Sequence, residues 1–140
     1  MKFRGAVLLV AVGLVGCVAA PPSPAPGVFD QLVGQWDEVH PGSCESTHTI
    51  SFDRDKSMMM VEYDEVGWVT ESDSRKVFRY RILGAKDPVL RTQLENEPRL
   101  DDQGKPVVWH IVVVDADTYC WGRDDWPQGA CTTPRKRCKP

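Results

Sequence analysis

Five cysteines and three histidines are the residues of this 140-residue chain best equipped for chemistry. Cys44, Cys120, Cys131 and Cys138 form no Cys-x-x-Cys pair, and His40, His48 and His110 have no ligand-like spacing, so zinc binding has no support. His48 and His110 are expected on strands, where they could face each other, but a third spaced ligand is missing. No Gly-x-Ser-x-Gly elbow, calcium-loop spacing or phosphate-binding glycine loop occurs. Asp101-Asp102 and Asp124-Asp125 are adjacent carboxylates; neighbours on a strand point to opposite faces, so both pairs read as turns rather than acid–base pairs. No catalytic residue, metal or cofactor is therefore assigned. What remains is binding chemistry. Met59, Tyr63, Tyr80, Trp109 and Trp121 are large, apolar or amphipathic side chains suited to lining a pocket, with core filling as the plainer role.

The fifth cysteine, Cys17, has a different setting. Lys2 and Arg4 precede an uncharged apolar run, residues 6–15, that is shorter than the roughly 20 residues of a membrane span. Leu14-Val15-Gly16-Cys17 closes it. This resembles the lipobox of bacterial lipoproteins. The resemblance implies a signal peptide over 1–16, cleavage before Cys17, diacylglycerol on its sulfur and acylation of the new amino terminus by a chain such as palmitate. Several acyl chains hold a protein to a membrane far better than one. Val18 rather than Asp follows the cysteine, which favours a periplasm-facing place on the outer membrane.

Of the 17 Lys and Arg residues, Lys2 and Arg4 lie ahead of Cys17, leaving 15 against 20 acidic residues and a formal charge of −5. Such a balance argues against general nucleic-acid binding, which needs a positive field. Arg135, Lys136, Arg137 and Lys139 crowd the C-terminus and read as a solvated basic tail, with an anionic contact as the alternative. In an oxidising compartment the four remaining cysteines are expected to form two disulfides. Three connectivities are open. Cys131–Cys138 with Cys44–Cys120 would staple a short C-terminal loop. Cys120–Cys131 with Cys44–Cys138 would tie the tail back to the body.

These residues need a scaffold. Residues 17–28 comprise Cys17 and a Pro-rich tether, in which 18–27 is extended by composition and able to reach about 30 Å at ~3.1 Å per residue. Residues 29–140 are expected to form one domain. Short runs rich in β-branched and aromatic residues, separated by turn residues, predict strands at 31–39, 47–53, 57–66, 75–83, 89–95, 107–114 and 118–123, with an eighth near 130–133. Alternation places His48, Ile50 and Phe52 on one face, as it does Met59, Val61 and Tyr63, and Phe78, Tyr80 and Ile82. The strand at 107–114 is apolar on both faces and is expected to be covered on both. Seven or eight sequential strands predict an all-β antiparallel meander closed into a small barrel, which removes the sheet's edges; a β-sandwich is the alternative.

The domain opens with Leu32-Val33-Gly34-Gln35-Trp36, and its last clear strand ends Trp121-Gly122-Arg123. This is similar to the lipocalin and wider calycin pattern, and especially to compact lipocalin-like domains of envelope lipoproteins. The resemblance implies that Gly34 allows close approach, Trp36 plugs the narrow end and Arg123 stacks over that indole, a contact worth ~0.5–2 kcal/mol. It implies a non-enzymatic carrier or sensor for a small apolar ligand such as a lipid. The alternative is a protein-binding envelope module, for example a lysozyme inhibitor or assembly accessory. That module would act through loops at 40–46, 67–73 and 124–128, with an acidic charge suited to a basic target. Membrane contact through the lipid is expected in either case.

Overall fold

The computed structural model describes residues 26–37, 43–64 and 76–139. Among the described residues, one turn of helix, α1 (Val28–Leu32), is followed by β1 (Gly34–Asp37), β2 (Thr47–Phe52), β3 (Met58–Tyr63), β4 (Val77–Lys86), β5 (Val89–Leu94), β6 (Trp109–Asp115), β7 (Thr118–Arg123) and β8 (Arg135–Lys136). All eight strands lie in one antiparallel sheet in sequence order, nearly closed into a barrel. A single antiparallel bridge, Trp36 to Arg137, brings the chain just beyond β8 back to β1. The sandwich alternative is thereby excluded.

Period-two alternation builds the core. Ile50, Met59, Val61, Phe78, Tyr80, Leu90, Leu94, Ile111, Tyr119 and Trp121 point inward and are buried, while Arg79, Arg81 and Arg91 point outward. Met59 is wholly buried; Met58 and Met60, on the other face, are half-buried. Asp53 turns the β2–β3 hairpin, accepting backbone hydrogen bonds from Ser57 at 2.8 Å and Met58 at 3.0 Å. Asp101 orders its own turn in the same way, accepting from Gln103 and Lys105.

Three sequence expectations are corrected. The strand predicted at 31–39 is preceded and shortened by α1. Val28 and Leu32, four residues apart, share a buried face, and Phe29 packs edge-on against Phe52 at 5.1 Å. The helix has no side-chain cap of its own; instead Asp87, from the β4–β5 turn, accepts the Val28 N–H at 2.7 Å. The eighth strand is β8 rather than 130–133. The segment around Thr132 pairs locally with Trp121, using its backbone N–H and its hydroxyl, before the ladder resumes at Tyr119–Arg135. Finally, β6 is fully covered on its inner face alone: Val113 is buried, whereas on the outer face Val112 is half-buried and Val114 is 60% exposed.

The disulfides are Cys44–Cys138 and Cys120–Cys131. The alternative that joined Cys131 to Cys138 is thereby overturned. Cys138 follows the bridge that closes the barrel and donates its N–H to Gln35, so it lies beside β1 and the Cys44 loop.

Candidate functional site

The two ends of the barrel differ. Tight connections (β2–β3, β4–β5 and β6–β7) gather at one end with α1. Among the described residues, the longer connections 95–108 and 124–134 lie at the other. The first is the closed end, the second the open rim.

Arg137 seals the closed end. Its guanidinium carbon stands 4.1 Å from the Trp36 ring centroid. It donates to the carbonyls of Val33 at 2.9 Å, Ala116 at 3.2 Å and Gln31. The Trp36 indole is wholly buried and donates to Leu32 O at 2.9 Å. Gly34 has φ 130°, and a Cβ there would stand 2.8 Å from Arg137 Nη1. Gly34 and Trp36 thus lie together at this base beneath Arg137. Arg123, implied there by the resemblance, does not. β7 runs from the closed end to the rim, so the residue at its end lies about 17 Å along the strand from its start at ~3.3 Å per residue. Arg137 is a member of the basic cluster read as a solvated tail; the neighbouring Cys138 was the signal that this tail is folded back.

Between the two ends the interior is filled by aromatic rings in edge contact. Trp36 meets Tyr119 at 4.8 Å, Tyr119 meets Trp121 at 6.2 Å, and Trp121 meets Trp109 at 6.1 Å. Tyr80 lies 5.3 Å from Trp121. Of the pocket candidates, Met59, Tyr80 and Trp121 are buried in this core, whereas Tyr63 and Trp109 are half-buried. All five face inward, but the first three are packing residues.

At the rim the ring series surfaces. Arg99 and Arg123 flank Trp109, with guanidinium carbons 4.6 Å and 5.6 Å from its ring. Arg123 also lies 5.7 Å from Trp126, which meets Trp109 edge-on at 6.1 Å. Carboxylates fix both cations. Asp125 takes Arg123 at 2.8 Å and 2.6 Å. Glu97, its side chain only 1% exposed, takes Arg99 at 2.6 Å and 3.0 Å and the Trp109 indole N–H at 2.8 Å. The cluster offers flat apolar faces held rigidly beside planar cations, which is recognition chemistry. Glu97 and Arg99 were not singled out in the sequence because they sit in a loop whose partner strands are distant in the chain.

The histidines do not face each other. His48 is on the inner face, buried, with Nε2 2.5 Å from the Tyr119 hydroxyl. His110 is on the outer face, 3.4 Å from Asp124, opposite Gly122 and Arg91. Burial raises the Asp124 carboxyl's pKa, but its hydrogen bond and ion pair with Arg91, aided by His110, hold it below the ordinary aspartate range. Asp124 and Asp125 thus serve different partners on different faces, as turn residues rather than an acid–base pair. Among the described residues, no three His, Cys, Asp or Glu side chains converge as a metal site. Cys17, His40 and the loop 67–73 lie outside the described residues.

No protein-family model, curated protein or solved structure matches this chain.

Proposed function

We propose that this chain is a lipid-anchored, non-enzymatic binding protein of the bacterial envelope, held by Cys17 and facing the periplasm, that grips a partner protein with the open rim of its lipocalin-like barrel. The observation that carries this reading is the rim itself. Half-buried Trp109 and Trp126 alternate with Arg99 and Arg123 above a core whose Trp36, Phe78, Met59 and Tyr119 are at most 1% exposed. A filled lower barrel leaves the rim as the place to bind, and Trp and Arg are the residues most enriched where binding energy concentrates. The formal charge of −5 behind Cys17 suits a basic partner, of which a lysozyme is one kind. Crosslinking in the intact envelope followed by affinity purification tests this. The wild type is expected to retain a partner that the Arg123→Ala and Trp126→Ala variants lose; equal recovery by all three sinks the rim.

A second reading keeps a small apolar ligand, such as a lipid. Tyr63 and Trp109 are inward-facing yet half-buried, so part of each side chain is left for a ligand to reach. Native mass spectrometry of protein from its own envelope separates the two readings: a retained small mass supports this one.

A further inference from the structure

We propose that the Pro-rich segment ahead of the domain, residues 18–25, docks along an apolar groove on the outside of the barrel. The inference is independent of what the rim binds; it shares with that reading only the assignment of these residues as a tether.

The groove lies on the outer face of β4 to β7. One part, a cavity of about 520 Å³, runs beside Gly84, Ala85 and Val89, with Lys86 and Asp87 at its edge. The next, of about 450 Å³, shares Val89 and Arg91 with the first. It continues past His110 and over Val112 and Val114 to Ala130, so the apolar floor is flanked by the Arg91 and His110 side chains. Cross-strand pairing aligns Val89, Val112 and Cys120 in one outward-facing row. The Cys120–Cys131 bridge pins the β7–β8 loop against that row as the far wall. Small residues on both sides, Gly84, Ala85, Gly129 and Ala130, keep the channel open. Val114 is left 60% exposed, the open face of a strand whose sequence reads as covered.

The occupant follows from where the described chain starts. Asp87, which lines the groove's lower end, accepts the Val28 N–H at 2.7 Å, and Gly27 lies against its carboxylate. Pro26 O is held by Gln31 Nε2 at 2.6 Å. The chain therefore meets the domain at the mouth of the groove. Upstream stand Val18-Ala19-Ala20-Pro21-Pro22-Ser23-Pro24-Ala25, with no charge and three prolines. Such a sequence favours a polyproline II form that needs no backbone partners and loses little entropy on docking. Eight residues at ~3.1 Å each reach about 25 Å, enough to follow β5 and cross two strand spacings of about 4.8 Å. Covalent attachment gives the segment a high effective concentration at the groove, so modest contact suffices. A docked tether lays the barrel close to the membrane instead of suspending it.

The test places the photo-crosslinking residue p-benzoylphenylalanine at position 22, and separately at position 23, in the full-length chain in its own envelope. Peptide mass spectrometry locates the products after irradiation. Crosslinks within the same chain to peptides holding Val89, Val112 or Ala130 are expected. Val112→Glu, and independently Ala130→Glu, are expected to lower their yield at least about fivefold. An intact mass together with a peptide map showing the Cys44–Cys138 and Cys120–Cys131 bridges checks that these variants fold. Products joined to a second copy, to another protein or to lipid, or scattered over the barrel, overturn the proposal. The intact mass also reports acylation of Cys17, so failure of docking and failure of the lipid anchor are read separately.

Discussion

Arg137 lies over the indole of Trp36, 4.1 Å from guanidinium carbon to ring centroid, and through Val33 and Gln31 it joins the chain just beyond β8 to the end of α1. One side chain thus caps the barrel base, accepts the closeness that Gly34 permits and satisfies carbonyls that end α1. Arg137→Ala is expected to cost about 2–4 kcal/mol, from lost charge-assisted hydrogen bonds and the stacked contact. Arg137→Lys should recover little, because an ammonium lacks the planar fork. Urea unfolding checks both, and an Arg137→Lys variant as stable as the wild type would refute the bidentate role.

The two disulfides close loops of very different length, with separations of 94 and 11 residues. In the chain-entropy model these correspond to roughly 4.7 and 2.8 kcal/mol. Replacing Cys44 and Cys138 by alanine should therefore lower stability more than replacing Cys120 and Cys131. Thermal unfolding of the paired variants gives the order directly.

Gly122 faces His110 across the β6–β7 ladder, and a Cβ there would stand 2.2 Å from His110 Nε2. Gly122→Ala is expected to destabilise by about 1–3 kcal/mol through overpacking. Adding His110→Ala should recover most of that loss in a double-mutant cycle, because it removes the clashing ring. No recovery would place the strain in the backbone instead.

Acid should loosen the outer face at a defined point. Burial opposes the charge on Asp124, yet Arg91 and His110 prevail and depress its pKa in the folded state. A depressed folded value means that the unfolded chain takes up the proton first as pH falls. The stabilisation is present above the ordinary aspartate range and is lost as pH drops through the folded value. Asp124→Asn should flatten the fall in stability below about pH 4. Arg91→Ala should do the same; unchanged slopes in both would discount the pair.

Much of this architecture can be read from the chain. Alternation through Ile50, Met59, Val61, Phe78 and Tyr80 specifies which face of each strand is buried, and the turn residues at Asp53 and Asp101 separate the strands. A meander of short antiparallel strands follows, because each step depends only on neighbours in sequence. The base itself is expected at Gly34 and Trp36 only through the resemblance of Gly-x-Trp to the lipocalin pattern, since that spacing alone does not specify it.

The partners of those residues belong to the tertiary structure. Which arginine covers Trp36 depends on the end at which each strand finishes. β7 carries Arg123 to the rim, whereas the chain returning through β8 brings Arg137 to the base. Disulfide pairing follows from that return, which sets Cys138 beside β1. The rim depends on folding still more, since Glu97, Arg99, Trp109, Arg123 and Trp126 come from two loops and two strands. Side-chain period is a local property and is written in the sequence; stacking and ion pairing between distant segments arise only when the sheet curls until its first and last strands meet.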